Sequence, residues 1–279
     1  MMIPMIAQVT GSVVNILLDI MLIFGIGHIP ALGIMGAAIA TVIGQWVAMV
    51  ITLLAVMKKY SLRGTCKPEF CKQIYANGIG SIVTQSLYTI YIVGLNMILK
   101  IFTEDAVTVL GIYYKIQSFF FIPLLGFQQV LLPLFSYHYG AGDRHRNRNI
   151  LKCAMTFSAA IMAVATGIFL LFPEKLVQIF SMESTILAIG KYAFPVISIS
   201  FVFAGLTIVI TSYLQGIAHI KSSLFIIVLR QIVLLVPLAW AFHFISLNAV
   251  WWTFPVTEII ASMTSILLIV ILHKQDSTL

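Results

Sequence analysis

Gly11-Ser-Val-Val-Asn15-Ile-Leu-Leu-Asp19-Ile-Met-Leu-Ile-Phe24 sets a carboxylate and an amide inside a segment otherwise suited to lipid. A hydrocarbon layer about 30 Å thick needs roughly 20 consecutive apolar residues of helix to cross it. Residues 3 to 24 supply such a stretch, with Asp19 as the only ionisable group. An Asp at the membrane centre costs about 2.5–3.5 kcal/mol on insertion scales, so such a residue faces the bundle interior and marks an ion or substrate path. Asn15 stands four residues earlier, on the same helical face. Its amide oxygen is placed to share a small cation, or a proton's hydrogen bond, with the carboxylate.

The rest of the chain is built of the same material. It is 61% hydrophobic and 9% charged over 279 residues, against roughly 45–50% and about 25% for soluble proteins. Apolar stretches fall near 3–25, 31–57, 77–100, 106–137, 150–172, 186–215, 221–244 and 248–272, about eight spans by the length rule. Unpaired backbone groups are too costly in lipid for anything but helices or a closed barrel, and no stretch alternates as a barrel strand would. The expected fold class is an all-α, polytopic helical membrane protein. The first apolar segment has neither a basic leader nor a small-residue cleavage site, so Met1 is expected to open directly into a membrane helix.

Cations set the orientation. With the loop after the second span cytoplasmic, that side collects Lys58, Lys59, Arg63, Lys67, Lys72, Arg144, Arg146, Arg148, Lys152, Lys221 and Lys274. The opposite side holds Lys100, Lys175 and Lys191, which is the asymmetry of the positive-inside rule. The net charge of +7 is therefore shared among loops at lipid head groups and implies no nucleic-acid partner. Cys66, Cys71 and Cys153 lie at the reducing face, where no disulfide framework is expected, and they lack the companion ligands of a zinc site.

Gly36, Ala40 and Gly44 recur every four residues in the second span, a ridge of small side chains that lets another backbone approach closely. Thr41 sits beside that ridge and adds an oxygen near Asp19 where the first two spans pack as a hairpin. Residues 58–76 are polar, contain Pro68, and read as a cytoplasmic linker ending in a short interfacial helix around 69–75. The third span spaces Asn77, Ser81, Gln85, Thr89 and Asn96 at helical intervals. Such a stripe either joins helices or lines a wet cavity. In the fourth span, Pro123 and Pro133 interrupt the hydrogen-bond ladder, predicting a kink or hinge of the kind at which transporters place binding sites. Lys115 in that span either snorkels to the outer interface or enters a cavity with Gln117. Arg230 lies too deep for snorkelling, and Glu258 is its available counter-charge.

In their order and spacing these features resemble a family. Asn15-x-x-x-Asp19, Gly36-Ala-Ala-Ile-Ala-Thr41, Lys115-x-Gln-Ser-Phe with Pro123-x-x-Gly126, and Tyr137-x-Tyr-Gly-Ala141 before a basic loop are similar to the multidrug and toxic compound extrusion (MATE) transporters. Leu229-Arg230-Gln231 with Pro237, and Trp251-Trp-x-Phe-Pro255-x-x-Glu258, extend the likeness over essentially the whole chain. The resemblance implies two six-helix lobes around a central cavity. Residues 1–57 match the last two helices of the amino-terminal lobe, 58–76 the inter-lobe linker, 77–273 the carboxy-terminal lobe and 274–279 a cytoplasmic tail. Four opening helices have no counterpart, so a truncated form is expected. In relatives a further carboxylate from the first helix completes the cation site.

What the resemblance implies for function is secondary active efflux in the plasma membrane of a bacterium. Entry of Na⁺ or H⁺ would drive release of amphipathic or cationic small molecules, with no other cofactor. Asp19, Asn15 and Thr41 would hold the cation or proton, and Gln85, Asn96, Lys115, Gln117, Arg230 and Glu258 would line the substrate cavity. Some members of the family carry acids in the first and fourth helices of the carboxy-terminal lobe, and this sequence shows none there. Three alternatives stand beside this: a lipid-linked oligosaccharide flippase of the same superfamily, which needs more cations in its cavity; an inactive fragment; and an intramembrane acyltransferase using His138 or His145, which lacks a convincing paired acid or nucleophile.

Overall fold

The computed structural model describes residues 2–25, 30–59 and 86–276, and every regular element among them is helical. The chain divides into two compact units, Met1–Ile74 and Tyr75–Leu279. The predicted linker and the start of the third span, with Asn77, Ser81 and Gln85, lie outside the described residues.

The first unit is a helical hairpin, α1 (Met2–Phe24) and α2 (Ile34–Lys59). A Cβ on Gly11 would lie 2.6 Å from the Gly44 carbonyl oxygen, and one on Gly44 would lie 2.7 Å from that of Gly11. Further along, a Cβ on Gly36 would meet the Leu22 carbonyl oxygen at 2.5 Å. The contacts run in opposite directions along the two helices, so the pair is antiparallel. Association in lipid gains little from the hydrophobic effect and depends on close packing, which missing side chains permit. The outer surfaces stay bare: only 11% of each helix's most apolar window is buried.

The second unit opens with α3 (Ser86–Lys100), the described part of the third span. Then follow α4 (Glu104–Gly140), α5 (Arg144–Leu171), α6 (Pro173–Gln178), α7 (Ser184–Ser198) and α8 (Ser200–Gly216). The seventh span is α9 (Ile220–Val228), a π-helical segment (Leu229–Leu235) and α10 (Val236–His243), and the chain closes with α11 (Leu247–Trp251) and α12 (Thr253–Asp276). Among the described residues six helices, with α9 through α10 and α11 with α12 each taken as one, are long and apolar enough to cross a membrane. The α7–α8 pair, bent by 43°, makes a seventh.

Side-chain caps mark several of these starts. Thr103 Oγ1 accepts from the Ala106 N–H, Asp143 Oδ1 from the Arg146 N–H, and Ser246 Oγ from the Ala249 N–H. Each satisfies a donor that the first turn would leave free. The core holds buried rings from four helices: Tyr113 of α4, Phe169 of α5, Phe194 of α7 and Phe201 of α8, packed with centroids 5.0–6.5 Å apart.

A break in a span falls elsewhere. α4 runs unbroken through Pro123 and Pro133, whereas the chain bends at Ile199, just after Pro195. What differs is the supply of donors for freed carbonyls. At the bend the Ser198 hydroxyl donates to Pro195 O, Ser200 to Ile197 O, and the Thr166 hydroxyl of α5 lies 3.0 Å from Ser198 O. A broken helix survives at membrane depth only where such groups satisfy its backbone again.

Candidate functional site

Within the first unit, the Gly11–Gly44 contact brings the same faces of α1 and α2 together one turn away. The Asn15 Nδ2 lies 3.4 Å from Thr41 Oγ1, and that hydroxyl donates to the Ala37 carbonyl at 2.9 Å. Thr41 therefore turns a lone pair towards Asn15, and the Asn15 amide oxygen is left over as an acceptor. An open groove of about 750 Å³ runs along this face, walled by Gln8, Ser12, Asn15, Thr41, Gln45 and Thr52. Single-residue reading passed over Gln8, Ser12, Gln45 and Thr52. Their signal is positional: Gln8, Ser12, Asn15 and Asp19 follow one another at helical intervals, as do Thr41, Gln45 and Thr52.

Asp19 lies a turn beyond Asn15, outside the wall of the groove. It is half-buried, and its Oδ1 is fully enclosed with no hydrogen-bond partner among the described residues. No basic side chain of the described residues pairs with it: the described ion pairs are Lys191–Glu174 and Arg230–Glu258. A sequestered carboxylate oxygen without a donor is unstable unless a proton or cation joins it.

The second unit assembles a separate polar chamber. Arg230 of the π segment places Nε 2.9 Å from Glu258 Oε1 of α12. Gln117 and Tyr114 of α4, Tyr91 of α3 and Gln231 complete much of the wall around a cavity of about 30 Å³. That holds a water and nothing larger, far below the 300–1,000 Å³ of ligand pockets. Glu258 is 8% exposed. Its Oε2 and Gln231 Oε1 are buried and without hydrogen-bond partners among the described residues.

Of the residues expected to line a substrate cavity, Gln117, Arg230 and Glu258 thus meet in this chamber. Lys115, one residue from Tyr114, is exposed on the opposite side of α4, with Nζ 5.6 Å from the centre of the Phe180 ring. Asn96 is half-buried in α3 and is no part of the chamber wall. Gln85 lies outside the described residues. Tyr91 and Tyr114 were not singled out from sequence, and Gln231 entered only as part of the Leu229-Arg230-Gln231 motif. Tyrosine is common in membrane helices, and only the depth of Arg230 points to its neighbours.

Comparison with known proteins bears on the family and the fold. The MatE family model matches residues 80–241. Multidrug export protein MepA of Staphylococcus saprophyticus is 24% identical over 279 residues, covering 98% of this chain and 61% of MepA. The probable multidrug resistance protein NorM of Thermotoga maritima is 25% identical over 218 residues, covering 76% of this chain and 47% of NorM. An outward-facing multidrug resistance MATE transporter of the MOP superfamily superposes with a TM-score of 0.83 at 23% identity, over 95% of this chain and 60% of that one. A MOP superfamily transporter from Pyrococcus furiosus, described as having a binding pocket of reversed polarity, gives 0.82 at 22%, over 95% of this chain and 61% of that one. The chain thus spans about three fifths of the length of MepA. Its apolar helices and bacterial relatives make it an integral protein of the bacterial plasma membrane. By the family match across residues 80–241 and the shared helical fold, the chain belongs to the MATE family of transporters.

Proposed function

We propose that the chain serves cation-coupled export of amphipathic or cationic small molecules, with Asp19 as the group that takes up Na⁺ or H⁺ and Asn15 and Thr41 as its neutral oxygen partners. The observation that carries this reading is the Oδ1 of Asp19, enclosed and without a partner among the described residues, in a membrane-spanning helix one turn from the Asn15–Thr41 contact. MepA and NorM are named as a multidrug export protein and a probable multidrug resistance protein, which supports the substrate class. The second unit's residues, Gln85, Asn96, Lys115, Gln117, Arg230 and Glu258, are assigned to the substrate side of the cycle. The residues 1–57, 58–76 and 77–273 act as lobe end, linker and carboxy-terminal lobe in this reading.

Coupling follows from unequal affinity. A cation that binds Asp19 more tightly in the drug-releasing conformation shifts the population towards it, and by no more than that difference. Each charge carried inward gains roughly 2.3 kcal/mol per 100 mV, enough to bias two conformations a few kcal/mol apart. A flippase for pyrophosphate-linked sugars is less favoured, because Arg230 is engaged by Glu258 and Lys115 leans on Phe180 outside the chamber.

The test is the purified chain in liposomes, loaded with a fluorescent cationic dye and given a Na⁺ or H⁺ gradient. Gradient-driven dye movement is expected, and Asp19→Asn should abolish it. Equal transport by Asp19→Asn would overturn the role of Asp19. No movement under either gradient would overturn export by this chain.

A further inference from the structure

We propose that Glu258 is a proton-accepting site in its own right, loading and releasing a proton at Oε2 through the small chamber in the second unit. The carboxylate is asymmetric: Oε1 meets Arg230 Nε at 2.9 Å, while Oε2 is buried without a donor among the described residues, and Glu258 lines the chamber. Gln231, also in the chamber wall, has Oε1 enclosed without a donor among the described residues. Acceptors that share a cavity need a hydrogen between them, and the chamber has room for one water to bring it. Uptake is then a simple transfer. A protonated water in the chamber gives up H⁺, an O–H bond forms on Oε2, and neutral water remains to relay the bond to Gln231 Oε1. Arg230 stays cationic and its Nε–H continues to donate to Oε1.

A buried carboxylate held symmetrically by two guanidinium nitrogens would be a fixed strut. Here Arg230 meets Glu258 through Nε, its side chain is 26% exposed, and it rides on a π-helical turn. Such turns recur at functional sites, since their hydrogen bonds have an α-helical alternative. Loading changes the pair from neutral to a net positive charge. That favours whichever conformation gives the guanidinium more water, so the proton is bound unequally by two states. The titratable or charged groups at the chamber are Tyr91 from α3, Tyr113 and Tyr114 from α4, and Arg230 itself. Among the described residues α7, α8, α9 and α10 add none to its wall.

Infrared difference spectroscopy of the reconstituted chain during a pH step tests this directly. A protonated-carboxyl band is expected that disappears in Glu258→Gln and persists in Asp19→Asn. Should Glu258→Gln fail to fold, Gln231→Leu leaves the ion pair intact and is expected to shift the same band by removing its acceptor. Absence of any carboxyl band sensitive to Glu258→Gln or Gln231→Leu would overturn the proposal and leave the pair a structural one. Because the readout is the band and not dye movement, its failure is separable from failure of the Asp19 assignment.

Discussion

At the scale of single residues, the two acids placed inside spans are held in opposite ways. Asp19 has no counter-charge among the described residues, whereas Glu258 is held by Arg230. Removing one member of a buried pair strands the other at a cost of about 3–5 kcal/mol, whereas replacing both by apolar groups is near neutral. Arg230→Met and Glu258→Leu should therefore each lower the thermal midpoint in detergent, and the double variant should recover most of the loss. If the two single effects simply add, the pair contributes nothing as a pair. Both acids were visible in the sequence because a charge inside an apolar run stands out. Arg230 and Gln117 were expected beside them, whereas Tyr91 and Tyr114 were not, because they are neutral and owe their burial to helices far away in sequence.

At the scale of the element, the hairpin rests on glycine. A methyl group on Gly44 would press on the Gly11 carbonyl and the Asn15 Cβ at 2.7 and 2.9 Å. Backbone on one side cannot yield as a flexible side chain would, so overpacking of about 1–3 kcal/mol is expected for Gly44→Ala. The readouts are a lower melting point and a weakened response to the coupling ion, since Asn15 and Thr41 would part. An unchanged melting point would show that the helices separate at no cost. The small-residue ridge announced this contact in the sequence. The bend at Ile199 was illegible for a physical reason: Pro195 looks like Pro123 and Pro133, and what distinguishes it is the Thr166 hydroxyl, donated from another helix. The π segment likewise has no local signature.

At the scale of the whole molecule, the spans were legible from apolar length alone, and their orientation rests on where the cations gather. The outer-side assignment of the α6–α7 turn and the inner-side assignment of the α4–α5 turn can be checked by labelling. Met182, 84% exposed in the first of these turns, is expected as Met182→Cys to react with an impermeant maleimide added to intact cells. His145→Cys, at the exposed start of α5, should react only after the membrane is opened. The reverse pattern would invert the topology and with it the direction of any coupled ion flow.

The unbroken course of α4 has a consequence of its own. At 1.5 Å per residue, its 37 residues reach about 55 Å, past both the roughly 30 Å oily layer and the 40–45 Å slab that includes the head groups. Even upright, such a rod stands clear of the bilayer. Tyr137 and Tyr139, exposed near its end, suit the waterline, and the arginine-bearing start of α5 is lifted on this stilt into the aqueous phase, within reach of soluble molecules.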